Sequence, residues 1–194
     1  MVFSVSSTMS APFQISLVSP DHIPQILDIY APFVLETTTS FETEVPSLED
    51  FAQRVKQYAE KAPWLVATGG NMVLGYAYAT AHRSRGAYRW NQEVTVYVHP
   101  GHRKKGIARA LYLKLLDLLK LMGYTKALAI ITLPNEASIG FHRALGFEHI
   151  GDMPDIGFKF GSWHTTSWWH LALQESDHVP GEIKSVKSIE HLLG

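Results

Sequence analysis

The residues best able to do chemistry lie between Arg83 and Arg109, and the densest run is Arg103-Lys104-Lys105-Gly106-Ile107-Ala108-Arg109. It follows a strand-like segment, Val94-Thr95-Val96-Tyr97-Val98, and a turn at Pro100-Gly101, and it opens a long stretch of helical periodicity. The first N–H groups of a helix have no partner within it, and the helix dipole adds partial positive charge there, so such a junction binds anions. Gly106 and Ala108 keep side chains out of the way, which lets a diphosphate approach the backbone. Arg103, Lys104 and Lys105 add mobile positive charge. The plainer alternative is a solvated basic turn ahead of a surface helix. Its placement at one strand–helix junction of a nearly neutral chain favours the anion site. The spacing is not the Gly-x-Gly-x-x-Gly of dinucleotide folds, and the Gly-Lys-Ser/Thr of a P-loop is missing.

Two residues could handle a proton. Glu93 heads the strand; in a partly apolar site desolvation raises a carboxylate's pKa and fits it to accept a proton, directly or through water. Its ordinary role would be an exposed strand-end charge. His142 titrates near neutrality and is otherwise a helix-face or core histidine. Arg83, Arg85 and Tyr88 precede Glu93, and two arginines with an aromatic residue suggest a clamp for an oxyanion such as a carboxylate. Tyr97 reads as strand filler first and a polar handle second. Asn135 suits a helix N-cap. The sequence has no Cys, which excludes disulfides, cysteine-ligated metal and a cysteine acyl-enzyme. The 10 His residues show no ligand spacing, so no metal is expected.

These residues need elements to hold them. Phe13–Val18 alternates apolar and polar and reads as a strand. Ser19-Pro20-Asp21 starts a helix carrying Ile23, Ile26, Leu27, Tyr30, Phe33 and Val34. Ser47–Asp50 caps a second helix with Phe51, Val55 and Tyr58. Trp64–Thr68 and Met72–Thr80 read as a hairpin through Gly69-Gly70-Asn71. His82–Trp90 is an Arg- and aromatic-rich loop, and Glu93–Val98 a strand. Gly106–Met122 is the clearest helix, with Ile107, Leu111, Leu115, Leu118, Leu119 and Met122 on one face. Ala127–Thr132 is nearly all apolar, as in a strand covered on both faces. Ile139–Leu145 is a short helix ended by Gly146, and Phe147–Ile150 and Ser167–Leu173 are closing strands. Strands and helices mix along one core, which gives an α/β or α+β class. Residues 1–12 read as a loose arm, 13–174 as one domain and 175–194 as a tail.

Bulk properties narrow the function classes. The chain has 194 residues, 46% of them hydrophobic, with formal charge -1, enough for one sizeable core. A general nucleic-acid binder would carry a basic excess, so no nucleic-acid partner is expected. The expectation is also of no membrane segment, no signal peptide and a cytoplasmic protein, the lack of Cys fitting a reducing compartment.

Arg103-x-x-Gly106-x-Ala108 after Val96-Tyr97-Val98 resembles the acetyl-CoA signature of the GNAT superfamily of N-acetyltransferases. Leu133-Pro134-Asn135-Glu136-Ala137-Ser138-Ile139 and Phe141-His142-Arg143-Ala144-Leu145-Gly146-Phe147 resemble its second motif. Within the superfamily the chain is most similar to the phosphinothricin and methionine sulfone/sulfoximine acetyltransferases. That likeness rests on Arg85-x-Ala87-Tyr88-x-Trp90-x-x-Glu93, Thr95-Val96-Tyr97-Val98, Leu133-Pro134-Asn135 and Gly157-Phe158-Lys159-x-Gly161-x-Trp163-His164. It runs from near Phe13 to near Leu173. Arg83 departs slightly, since close relatives often carry Lys there.

The resemblance implies a mixed, mostly antiparallel sheet flanked by helices, with central parallel strands 93–98 and 127–132 splayed to admit acetyl-CoA. It implies that the backbone of Val96, Tyr97 and Val98 lines the pantetheine arm. Lys104, Lys105, Gly106, Ile107, Ala108 and Arg109 would cradle the pyrophosphate with Arg103, and Asn135 would contact the cofactor near its acetyl end. Arg83, Arg85 and Tyr88 would hold a small amino-acid-like amine, and Glu93, or His142, would accept its proton for direct transfer in a ternary complex. A homodimer is expected, with Trp163, Trp168 and Trp169 in the core or at the subunit interface. Two other classes remain: a peptide or protein N-acetyltransferase, and a non-catalytic acetyl-CoA-binding module.

Overall fold

The structure is a computed structural model that describes residues 13–175, 177 and 179–193; the expected N-terminal arm, residues 1–12, lies outside the described residues. The strands are β1 (Gln14–Leu17), β2 (Trp64–Gly69), β3 (Met72–Ala81), β4 (Asn91–Val98), β5 (Lys126–Thr132), β6 (Glu148–Lys159) and β7 (Ser162–Ala172), and the helices are α1 (Ile23–Glu36), α2 (Leu48–Ala59), α3 (Ile107–Met122) and α4 (Glu136–Ala144). They build one seven-stranded sheet in the order β1-β2-β3-β4-β5-β7-β6. Every neighbouring pair is antiparallel except β4 and β5.

Alternation along the central strands sorts side chains to two cores. One core joins α1 and α2 to Trp64, Val66, Val73, Tyr76 and Tyr97. The other joins α3 to Leu65, Ala77, Val94, Ala127, Ala129 and Ile131. α3 is held by Leu111, Leu115 and Leu119, all 0% exposed, as its 3.6-residue periodicity requires. Gly123, at φ 101°, ends it with a left-handed cap, a conformation glycine adopts without a Cβ penalty. The oxygen of Ser47 caps α2 by accepting from Asp50 N–H at 3.1 Å. Among the described residues no helix is long and apolar enough to cross a membrane.

The closing strands are longer than their sequence pattern suggests. β6 runs to Lys159 and pairs with β7 across a two-residue turn, Phe160-Gly161, both at positive φ, which matches the twist of a hairpin. Gly151, Pro154, Asp155 and Gly157 conceal this strand from a period-2 reading. They are tolerated because β6 is an edge strand whose register shifts between His149 and Gly151 and again between Met153 and Gly157, and edge strands and bulges accept Pro and Gly. Beyond Leu173, a 3-10 helix at Val186–Leu193 buries Val186 and Ile189 in the α3 core. Trp90 Nε1 also donates to the carbonyl of Gly181 at 3.0 Å, so this segment is tied to the 82–90 loop.

Candidate active site

β4 and β5 pair over only three residues: Asn91 with Lys126, Gln92 with Ala127 and Glu93 with Leu128. Beyond Glu93 the strands part, and a cavity of about 680 Å³ passes between them. Val94 to Val98 form one wall, Ala129 to Ile131 the other, and the start of α3 with Ala137, Ser138, Phe141 and His142 closes one face. The parting explains why Ile130 is 39% exposed in a strand whose sequence reads as covered on both sides.

Peptide groups alternate sides along a strand. His99 N–H donates to the carbonyl of Leu74 on β3 at 2.9 Å, and the Tyr112 hydroxyl donates to the carbonyl of Val94 from the gap side at 2.9 Å. The N–H and C=O groups of Val94, Val96 and Val98 therefore face the gap, while those of Thr95 and Tyr97 face β3. The Tyr97 side chain packs against Tyr30, Phe33 and Tyr76, and burial pushes its pKa well up; it is filler beneath α1.

The basic run forms the mouth of this gap. The first bond of α3 runs from Ala110 N–H to Gly106 C=O at 3.0 Å, so the N–H groups of Ile107, Ala108 and Arg109 have no partner inside the helix. Gly106 sits at φ 80°, which restricts the position to glycine. A Cβ there would meet no protein atom within 4 Å, so the space in front of the backbone is open. Arg103, Lys104, Lys105 and Arg109 are exposed around it and Ile107 is buried, with the Arg103 guanidinium 5.6 Å from the centre of the Phe33 ring.

His142 closes the same face. It is 5% exposed; its Nδ1 lies 2.8 Å from the Ser138 carbonyl and its Nε2 3.0 Å from the Tyr112 hydroxyl. The carbonyl contact places the proton on Nδ1, so Nε2 can only accept, and the single Tyr112 proton is shared between Nε2 and the Val94 carbonyl. Burial lowers its pKa, partly offset by the Ser138 bond, so it is neutral at neutral pH. Asn135 caps α4 by accepting from Ser138 N–H at 3.1 Å.

Glu93 stands where the strands part, on the opposite face, which it shares with Thr95 and Tyr97. Its Oε1 is 2.7 Å from His82 Nδ1. The His82 ring meets Tyr88 and Trp168 edge-on, each 5.9 Å between centroids. Tyr88 is thereby brought against the imidazole that holds Glu93, whereas Arg83 and Arg85 lie exposed on the loop and, among the described residues, form no ion pair. His82 is absent from a sequence reading because a histidine at a strand end is unremarkable until its partner, 11 residues away, is placed beside it.

Lys159 is the other residue the sequence does not explain. It is 4% exposed, and its ammonium donates to the carbonyls of Val34 at 2.6 Å, Thr37 at 2.9 Å and Ser40 at 2.7 Å. The β6–β7 hairpin is thus pinned to the end of α1 and to the loop whose Thr39 lines the gap. Burial lowers the Lys159 pKa. Gly157 makes room for Phe41, whose ring a Cβ would approach at 2.2 Å. His164 Nε2, 2.9 Å from the Lys159 carbonyl, completes the corner. The three tryptophans separate: Trp169 is buried, Trp168 half-buried and Trp163 exposed. Among the described residues, no three His, Cys, Asp or Glu side chains are placed to hold a metal.

A sheet parted between two parallel strands, with a helix N-terminus at the mouth of the gap, defines an acyltransferase of the GNAT type. The chain belongs to the acetyltransferase (GNAT) domain family, which matches residues 15–168. It is 30% identical over 181 residues to phosphinothricin N-acetyltransferase of Streptomyces viridochromogenes, covering 93% of this chain and 97% of the relative. It is 36% identical over 163 residues to the L-methionine sulfoximine/L-methionine sulfone acetyltransferase of Pseudomonas paraeruginosa, covering 81% and 93%. The crystal structure of a GNAT superfamily phosphinothricin acetyltransferase from Sinorhizobium meliloti in complex with acetyl-CoA superposes with a TM-score of 0.83 at 34% identity, over 88% of this chain and 94% of that one.

Proposed function

We propose that this chain transfers the acetyl group of acetyl-CoA to the amine of a small amino-acid-like substrate, of the phosphinothricin or methionine sulfone/sulfoximine type, directly in a ternary complex. The observation that carries this reading is the gap between β4 and β5, which begins beyond the last pairing at Glu93 and is lined by the start of α3. The residues fit acetyl-CoA. The peptide groups of Val96 and Val98, beyond the last pairing of β4 with β5, offer a strand edge to the amides of the pantetheine arm. Residues 103–109 offer N–H groups and cations to the pyrophosphate. Asn135 is assigned to the acetyl end. Acetyl-CoA supplies an acyl thioester; the chain supplies the rest.

Glu93 accepts a proton from the substrate ammonium, freeing the nitrogen lone pair to attack the carbonyl. The Val98 N–H faces the gap and steadies the oxyanion that forms; Tyr97 N–H points to β3 and is set aside for this role. With no Cys in the sequence, no cysteinyl acyl-enzyme can form. Arg83, Arg85 and Tyr88 are assigned to the carboxylate or phosphinate of the substrate. His142, joined to Tyr112 on the acetyl-CoA face, is the second proton acceptor to test.

Residues 13–174 are assigned to the catalytic domain and the protein to the cytoplasm. A homodimer is supported by exposed apolar residues along the β6–β7 hairpin, among them Ile150, Ile156, Phe158, Phe160 and Trp163, each more than half exposed, since contiguous apolar surface of this kind marks an interface. A thiol-release assay over phosphinothricin, methionine sulfone, methionine sulfoximine and the common amino acids tests the substrate class. Turnover of one of the first three is expected. No turnover on any of them overturns it, and acetyl-CoA binding without turnover of any amine identifies a binding module.

A further inference from the structure

We propose that His82 is a positioning residue for Glu93: its Nδ1–H bond to Oε1 fixes the carboxylate so that Oε2 is the oxygen that receives the amine proton. This rests on the reading of Glu93 as proton acceptor. The geometry is specific. At 2.7 Å the contact has the length of a charge-assisted bond. A carboxylate can only accept, so the shared proton sits on Nδ1. His82 is the better buried of the two, with a side chain 13% exposed against 32% for Glu93. Its ring is set by the edges of Tyr88 and Trp168 and its backbone by a bond from its N–H to the carbonyl of Asn91. Among the described residues Glu93 Oε2 has no hydrogen-bond partner. The arrangement runs from rigid to reactive: packed rings hold an imidazole, the imidazole holds one carboxylate oxygen, and the other oxygen is free.

In the step itself an N–H bond of the ammonium breaks and an O–H bond forms at Oε2; the lone pair left on nitrogen forms a C–N bond to the acetyl carbonyl, the thioester C–S bond breaks, and the departing thiolate takes up the second nitrogen proton to leave as the thiol. His82 keeps its proton throughout. Other titratable or charged groups on this side are Tyr78 on β3, Lys126 on β5, Tyr88, Arg83 and Arg85 in the loop, and His170 on β7, whose Nε2 faces Glu148 at 3.7 Å.

Three variants of the full chain, His82→Phe, His82→Gln and Glu93→Gln, are compared by steady-state kinetics across pH with the amine the wild type turns over best. His82→Phe should keep the melting temperature and the KM for acetyl-CoA but lower kcat by about 100-fold, the cost of a misplaced reacting group. His82→Gln, whose amide can still donate, should recover at least about tenfold of that loss. Wild-type kinetics in His82→Phe with Glu93→Gln impaired overturns this inference alone. Wild-type kinetics in Glu93→Gln overturns the reading of Glu93 and this inference with it. Equal loss of kcat in His82→Phe and His82→Gln, with no recovery by the donating amide, overturns the inference as well.

Discussion

The two faces of the gap are made in different ways. On the α3 face the working groups are backbone: the strand edge of Val96 and Val98, and the free N–H groups behind Gly106. On the α1–α2 face they are side chains gathered from far apart, Glu93 and His82 beside Tyr88 and Trp168, while Lys159 of the distant hairpin holds the end of α1 and the loop after it. A backbone site needs only a local order of strand, turn and helix. A side-chain site needs the whole fold in place. The first tolerates changes in most of its residues; the second does not.

Four changes would break or sharpen this contrast. Glu93→Gln should lower kcat by about 100- to 10,000-fold and leave acetyl-CoA affinity unchanged by calorimetry; a matching loss of affinity would mean that the faces are not separable. Lys159→Met leaves three carbonyls without their donor and should cost about 3 kcal/mol in denaturant unfolding, with KM rising for the amine and not for acetyl-CoA. Gly106→Val strains a left-handed position by roughly 1–2 kcal/mol and fills the approach to the backbone, so acetyl-CoA should bind about tenfold more weakly while the amine KM holds.

The smallest effect concerns pH. Because burial lowers the pKa of His142, the unfolded chain takes up that proton first as pH falls. The stability tied to the neutral imidazole is complete above the unfolded value of about 6.5 and is lost as pH drops toward the folded value. His142→Phe should flatten this part of the melting temperature–pH curve; a wild-type slope in the variant would remove His142 as its source.

The contrast also explains what the sequence could tell. Strand 93–98, turn, and helix from Gly106 to Met122 are written in consecutive residues; the mixed fold class follows from the pattern of elements, and the parting of the central strands from the family likeness alone. Beyond Ile150 the 148–159 strand is illegible because its bulges and its Pro154 break the alternation that reveals a strand, and only its place at the sheet edge permits them. Gly157-Phe158-Lys159 could be recognised as a motif but not understood. Its glycine answers to Phe41 and its lysine to carbonyls more than 100 residues away. His82 carried no signal at all until β3 and β4 were set in register.

The short pairing of β4 with β5 has a mechanical consequence. Two sub-sheets, of four strands and three, are fastened to each other by a ladder only three residue pairs long, at one end. Any widening or narrowing of the slot between them is a rotation about that fastening. Displacement grows with distance from the pivot, so Val98 and Thr132 at the free ends travel most. Glu93, in the last paired position, travels least. The mouth can yield to a bulky entrant while the carboxylate at the axle keeps its aim.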